Sequence, residues 1–122
     1  MRMDPAELGH LAYYERLVLK VKDQVVRGIL QPGDKLPSVR ETAQAEKLNP
    51  NTVAKAYKQL EVDGVIEVQP GRGSFISVNQ RELSATELRE LKNRFDALVV
   101  TATAQGIDEA TLSQWLAAHF KG

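Results

Sequence analysis

The stretch "LPSVRETAQAEKLNPNTVAKAYKQLEVDG", residues 36–64, decides the fold. Two short helical patterns stand back to back in it, each opened by its own cap. "SVRE" is a capping box: Ser38 can accept from the backbone at Glu41, and Glu41 can reach back. Val39, Thr42 and Ala43 give this helix a short inner face, and Leu48 closes it after two or three turns. Asn49 is the next N-cap, with Pro50 at the first helical position, where its missing N–H costs nothing. The following helix runs to about Asp63, and Gly64 stops it. Val53, Ala56, Tyr57 and Leu60 form its inner face, and Asn51, Lys55, Lys58 and Gln59 the opposite one.

Toward the N-terminus, "YYERLVLKVKDQVVRGIL" sets Tyr14, Leu17, Val18, Val21 and Val25 on one apolar stripe of a first helix, with Gly28 as its C-terminal cap. "QPGDK" then reads as a turn, with Pro32 fixing φ. Beyond Gly64 the period changes. "VIEVQPGRGSFISV" is rich in β-branched residues, and two runs, residues 65–69 and 74–78, flank "PGRG" as a β-hairpin with one arginine on its tip. From Ser84 a longer helix starts on a second capping box, "SATE". Leu88, Leu91, Phe95, Leu98 and Ala102 step along it by 3, 4, 3 and 4, which is heptad spacing. Gly106 ends it, and Asp108 caps a last helix with Leu112, Trp115, Leu116 and Phe120 as its apolar set. The fold class is mainly α with a small β-hairpin (α+β). A boundary near residues 79–84 divides it into residues 1–79 and 80–122.

Composition removes several classes of function. The 122 residues suffice for one ordinary domain, or a small one with an appendage, and 43% apolar content supports a packed core. No cysteine is present, which removes disulfides, thiolate catalysis and cysteine zinc sites and suits a reducing cytoplasm. No apolar run approaches the ~18 residues of a membrane span. "MRMDPAELGH" has acids and a proline where a signal peptide needs an apolar stretch. Sixteen basic groups balance sixteen acidic ones, and no third of the chain is basic in bulk. Any nucleic-acid site must therefore come from the placement of a few cations. His10 and His119 stand singly, so no metal site and no cofactor are expected, and no nucleophile–base set or phosphate loop points to an enzyme.

Three helices and a hairpin, with the second and third helices joined tightly, is the order of a winged helix-turn-helix. A helix enters the DNA major groove only if it protrudes, so the helix before it is short and the turn tight. Side chains at the start of that third helix, about residues 50–63, then lie near base edges. Asn51 suits adenine, and the Thr52 methyl suits thymine. Arg40 can reach phosphate or guanine, and Lys55 and Lys58 follow one and two turns further along. Unpaired N–H groups at both helix starts attract phosphate. The wing, about residues 65–78, carries Gly71, Arg72 and Gly73 at its tip, suited to a minor groove.

"LPSVRE", "NPNTVAKAYKQLE" and "GRGSFI" together resemble the DNA-binding domain of the GntR family of bacterial transcription regulators, over roughly residues 11–78. The short remainder resembles the YtrA-like subfamily, whose members end in a two-helix dimerisation element. The resemblance implies backbone and base contacts at Ser38 and Arg40, contacts at the recognition-helix start from Asn49, Asn51 and Thr52, and wing contacts from Gly71 and Arg72. It also implies repression of an operon, often one for a transporter. Pro50 stands where some relatives carry a base-reading arginine, which shifts specificity toward Arg40, Asn51 and the wing. Thr42 departs from the family pattern, which has an apolar residue after the glutamate.

Ordinary structural explanations stand beside these readings. Ser38 and Glu41 can be only a cap, and Asn49 with Pro50 is explained by capping alone. Lys55 and Lys58 can be solvated helix charges, and "PGRG" can be only a turn. Tyr57 is a core aromatic whose hydroxyl can reach phosphate. Leu88, Leu91, Phe95, Leu98, Ala102, Trp115 and Leu116 are expected to bury against a second copy, because one hairpin of helices cannot cover such a stripe.

The expectation is thus a cytoplasmic homodimer binding an inverted-repeat DNA operator, with no membrane association and an unknown small-molecule effector. Two alternatives remain. One is a ligand-gated regulator with its site in the C-terminal helices. The other is a winged helix serving as a protein-interaction module.

Overall fold

The computed structural model describes residues 8, 9, 11–79 and 81–120. Helix α1 spans Tyr13–Val26. Its N-cap, Ala12, has no side-chain oxygen, so Glu15 supplies half a capping box alone, accepting from the Ala12 N–H at 3.0 Å. Its stripe turns inward as expected: Leu17, Val18 and Val21 are buried, and Tyr14 and Val25 pack beside them.

Helix α2 is Val39–Glu46, and its capping box is fully formed. The Glu41 N–H donates to Ser38 Oγ at 3.1 Å, and the Ser38 N–H donates to the Glu41 carboxylate at 3.0 Å. The helix stops at Lys47, one residue before the leucine that the sequence suggested. Lys47 takes a left-handed conformation, φ 55°, without being glycine. That turn lets the Leu48 N–H donate to the Ala43 carbonyl at 2.9 Å and lays Leu48 against the core. Helix α3, Pro50–Val62, follows at once from N-cap Asn49. Val53, Ala56, Tyr57 and Leu60 are buried on it, and α3 packs against α1, α2 and the first strand.

Strand β1, Ile66–Gln69, pairs antiparallel with β2, Gly73–Ile76, with Ile66 opposite Ile76 and Gln69 opposite Gly73. At the tip the Arg72 N–H donates to the Gln69 carbonyl at 2.9 Å. Pro70 and Gly71 are the central residues, and Gly71 has φ 76°, a type II turn that needs proline and glycine in that order. A third ribbon joins the sheet. Lys35 bridges Phe75, the Leu36 N–H donates to the Ser74 carbonyl at 2.8 Å, and the Ile76 N–H donates to the Asp34 carbonyl at 2.8 Å. "QPGDK" is therefore a turn only as far as Asp34, where the Asp34 N–H closes on the Gln31 carbonyl at 3.0 Å. Beyond it the chain lies along the free edge of β2.

The core of this unit gathers Leu17, Val21, Leu36, Ala43, Val53, Leu60, Ile66 and Ile76, so every element contributes to it. Two ion pairs bind α1 at its rim, Lys20 with Glu46 and Lys22 with Asp63 at 2.8 Å. Both are partly solvated, so each contributes at most about 1 kcal/mol.

The chain divides into two compact units between Arg81 and Glu82. In the second, α4 is Ala85–Ala104, opened by the Ser84–Glu87 capping box, and α5 is Glu109–Ala118, capped by Asp108, which accepts from the Thr111 N–H at 2.9 Å. Of the heptad stripe only Ala102 is buried. Leu88, Leu91, Phe95 and Leu98 on α4, and Trp115 and Leu116 on α5, are each at least half exposed, as is Phe120 beyond it. The two helices do not close on each other. A groove of about 490 Å³ lies between them, lined by Phe95, Leu98, Val99, Leu112, Trp115 and Leu116, with Glu109 and His119 among its polar members. Among the described residues no helix is long and apolar enough to cross a membrane.

Candidate nucleic-acid interface

Helix α3 sends one face inward and leaves the other to solvent. Val53, Ala56 and Leu60 are fully buried, while Asn51, Lys55, Lys58 and Gln59 are exposed and Thr52 is half-buried. Asn49 and Asn51 meet at its start, where the Asn51 N–H donates to Asn49 Oδ1 at 2.7 Å. The Thr52 N–H is taken by the Asn49 carbonyl at 2.9 Å. Pro50 has no N–H, so the expected phosphate-binding amides at the start of α3 are already spent. What that end offers is side chains: the Asn51 carboxamide and the Thr52 hydroxyl and methyl.

Ser38 lines a cleft of about 400 Å³ with Gly71, Arg72 and Gly73 of the hairpin tip. The start of α2 and the tip of the wing thus share one concave surface. Arg40 is exposed in the first turn of α2. Ser38 works as the cap, and hydrogen bonds from its backbone and hydroxyl hold the Glu41 carboxyl below its ordinary value, helped by the charge of Lys35. An anionic Glu41 opposes phosphate at this helix start, so cations must supply the attraction. Lys35 is one that sequence reading did not single out. It lies in the same cleft with its alkyl chain against Gly73, where an added Cβ would come within 2.9 Å of Lys35 Cε.

Three side chains make contacts that the sequence did not announce. The Tyr57 hydroxyl donates to the Pro37 carbonyl at 2.8 Å and lies 2.7 Å from Thr42 Oγ1, so its hydrogen is not offered to phosphate. The Lys55 ammonium stands over the Tyr14 ring, 4.2 Å from its centroid. Lys58 pairs with Glu61 at 3.3 Å. Neither lysine is an isolated surface cation, though both lysine side chains are themselves exposed. Among the described residues no cluster of His, Cys, Asp and Glu could hold a metal. His119 caps the end of α5, and His10 lies outside the described residues.

Comparison with known proteins agrees with this architecture. Residues 13–76 match the family described as "Bacterial regulatory proteins, gntR family". The chain is 41% identical over 104 residues to the HTH-type transcriptional repressor YtrA of Bacillus subtilis (strain 168), covering 84% of this chain and 80% of that one. It is 36% identical over 102 residues to the uncharacterized HTH-type transcriptional regulator YhcF of the same organism, covering 80% of each. A transcriptional antiterminator from Listeria monocytogenes EGD-e superposes with TM-score 0.86 at 32% identity, over 99% of this chain and 90% of that one. YtrA from Sulfolobus acidocaldarius, a GntR-family transcription factor, gives TM-score 0.57 at 35% identity over 70% of this chain and 87% of that one. These relatives are named as regulators of transcription, not as enzymes. The family match runs from the first residue of α1 to the last of β2, and so takes in the whole helix-turn-helix and its wing. The chain belongs to the gntR family of bacterial regulatory proteins and is a transcriptional regulator.

Proposed function

We propose that the chain is a homodimeric, sequence-specific repressor that binds an inverted-repeat DNA operator in the cytoplasm. The observations that carry this reading are the polar outer face of α3, with Asn51 and Thr52 at its start, and the cleft that joins Ser38 to Arg72. Asn51 and Thr52 read base edges in the major groove, and Arg40 reads a guanine or holds a phosphate. Lys55 and Lys58 hold phosphates further along, Lys35 in the cleft adds a third such cation, and Arg72 enters the minor groove on its glycine-flanked tip. Ser38 and Asn49 act first as caps. The sign of regulation follows the repressor name of the Bacillus relative.

Residues 1–79 then serve as the DNA-binding part and residues 80–122 as the dimerisation part. Leu88, Leu91, Phe95, Leu98, Trp115 and Leu116 bury against the second copy. Ala102, already buried in a single chain, adds little there. Dimerisation also meets a need of the DNA. One recognition helix reads only a few base pairs, and a two-fold dimer reads two half-sites about one helical turn apart.

The test is selection of bound sequences from a pool of random duplexes. The reading expects enrichment of an inverted repeat whose half-sites lie about 10 base pairs apart, or a multiple of that. Enrichment of nothing would contradict DNA recognition, and enrichment of a single unrepeated half-site would contradict the dimer.

A further inference from the structure

The interface proposed above has parts on separate elements: the start of α2, the start of α3 and the wing. One buried phenol touches the joint between them. Tyr57 is 7% exposed on α3. A phenol has one hydrogen to give, and the Pro37 carbonyl, 2.8 Å away, can only accept it. The Thr42 hydroxyl, 2.7 Å from Tyr57 Oη, must therefore be the donor in their contact. The bonds run in one direction, from Thr42 through Tyr57 to Pro37. Pro37 precedes Ser38, the N-cap of α2. It follows Leu36, whose N–H is fixed to β2 at the Ser74 carbonyl. A single side chain of α3 thus holds the point from which α2 and the third ribbon of the wing both depart.

We infer that Tyr57 and Thr42 are positioning residues for DNA recognition: their hydroxyl chain sets Ser38, Arg40 and the wing at a fixed distance from Asn51 and Thr52. The inference rests on the DNA-binding reading. Apolar side chains at these sites would fill the same space but fix no direction, whereas a satisfied polar chain specifies one arrangement. Phosphate contacts tolerate small displacements; bidentate base contacts do not. The strut therefore governs selective binding more than general affinity for DNA.

The test compares the wild-type chain, Tyr57→Phe and the double variant Thr42→Val with Tyr57→Phe. Binding is measured to the duplex recovered by selection and to a random duplex, beside urea denaturation of each protein. Removing both hydroxyls leaves no unpaired side-chain donor, and the Pro37 carbonyl that loses its donor belongs to an exposed residue that water can reach, so the double variant keeps close to wild-type stability. It is expected to bind the random duplex as the wild type does and to lose about tenfold on the selected one, with Tyr57→Phe losing a similar factor. Selected-duplex affinity within about twofold of wild type, or equal losses on both duplexes, would overturn the inference. A wild-type chain that prefers no duplex would instead overturn the DNA-binding reading, and the inference with it.

Discussion

The Lys55 ammonium stands 4.2 Å from the centroid of the Tyr14 ring, so α3 leans one of its outer cations on α1. At an exposed site such a contact contributes about 0.5–1 kcal/mol. Tyr14→Leu keeps the apolar packing and should lower stability by that amount in urea denaturation. Lys55→Ala should also reduce the salt dependence of DNA binding by about one phosphate contact. Tyr14→Leu, which leaves the charge in place, should not change that slope.

Lys47 closes α2 at φ 55°, a conformation that costs a residue with a Cβ about 1–2 kcal/mol. Lys47→Gly removes that cost and adds some unfolded-state freedom. A net gain of about 0.5–1 kcal/mol is expected in chemical denaturation. Lys47→Ala, with the same Cβ, should leave stability close to wild type.

Glu41 and Asp108 both cap helices, and both titrate below their ordinary values. Bonds from the Ser38 backbone and hydroxyl act on the first, and bonds from the Thr111 side chain and backbone on the second. A depressed folded pKa means the folded state releases its proton first. The stabilisation is therefore present at neutral pH and is lost as pH falls through the ordinary carboxylate range to the depressed values. Glu41→Gln, which can still accept from the Ser38 N–H, should flatten this acid loss in urea denaturation across pH.

Tyr57 has the opposite sign. Burial pushes its hydroxyl above the ordinary value of 10.0, the Glu41 charge adds to this, and the Thr42 bond opposes it. The unfolded chain then ionises first, so stability should fall as pH rises past about 10. Tyr57→Phe should remove that alkaline loss.

Leu98 is 66% exposed and lines the groove between α4 and α5. Burying such a side chain contributes about 1.5–3 kcal/mol, and placing a charge there reverses the gain. Leu98→Glu should weaken self-association by more than about tenfold in sedimentation equilibrium. An unchanged assembly would move the interface elsewhere.

Much of this was legible because it is local. Caps at Ser38, Asn49, Ser84 and Asp108 are written in neighbouring residues, and the inner face of α3 follows from spacing alone. The third ribbon was not legible. Lys35 meets Phe75 forty residues along the chain, and nothing near "GDK" announces a strand. The stop at Lys47 was hidden because the left-handed position carries no glycine. In the sequence Thr42 stands out only as a departure from the family pattern. Its meaning lies in Tyr57, two turns into the next helix, whose oxygen it satisfies. The unpartnered stripe of α4 was readable from its heptads, since a stripe that finds no cover in its own hairpin stays exposed.

The most direct test is binding to the selected duplex and to a random duplex across a salt series, for the wild type, Arg40→Ala and Asn51→Ala. DNA recognition by this surface predicts tight, selective binding that weakens steeply with salt. Each variant should lose about 1–3 kcal/mol on the selected duplex, and Asn51→Ala should lose little on the random one. Equal affinity for both duplexes, unchanged by either substitution, would contradict it.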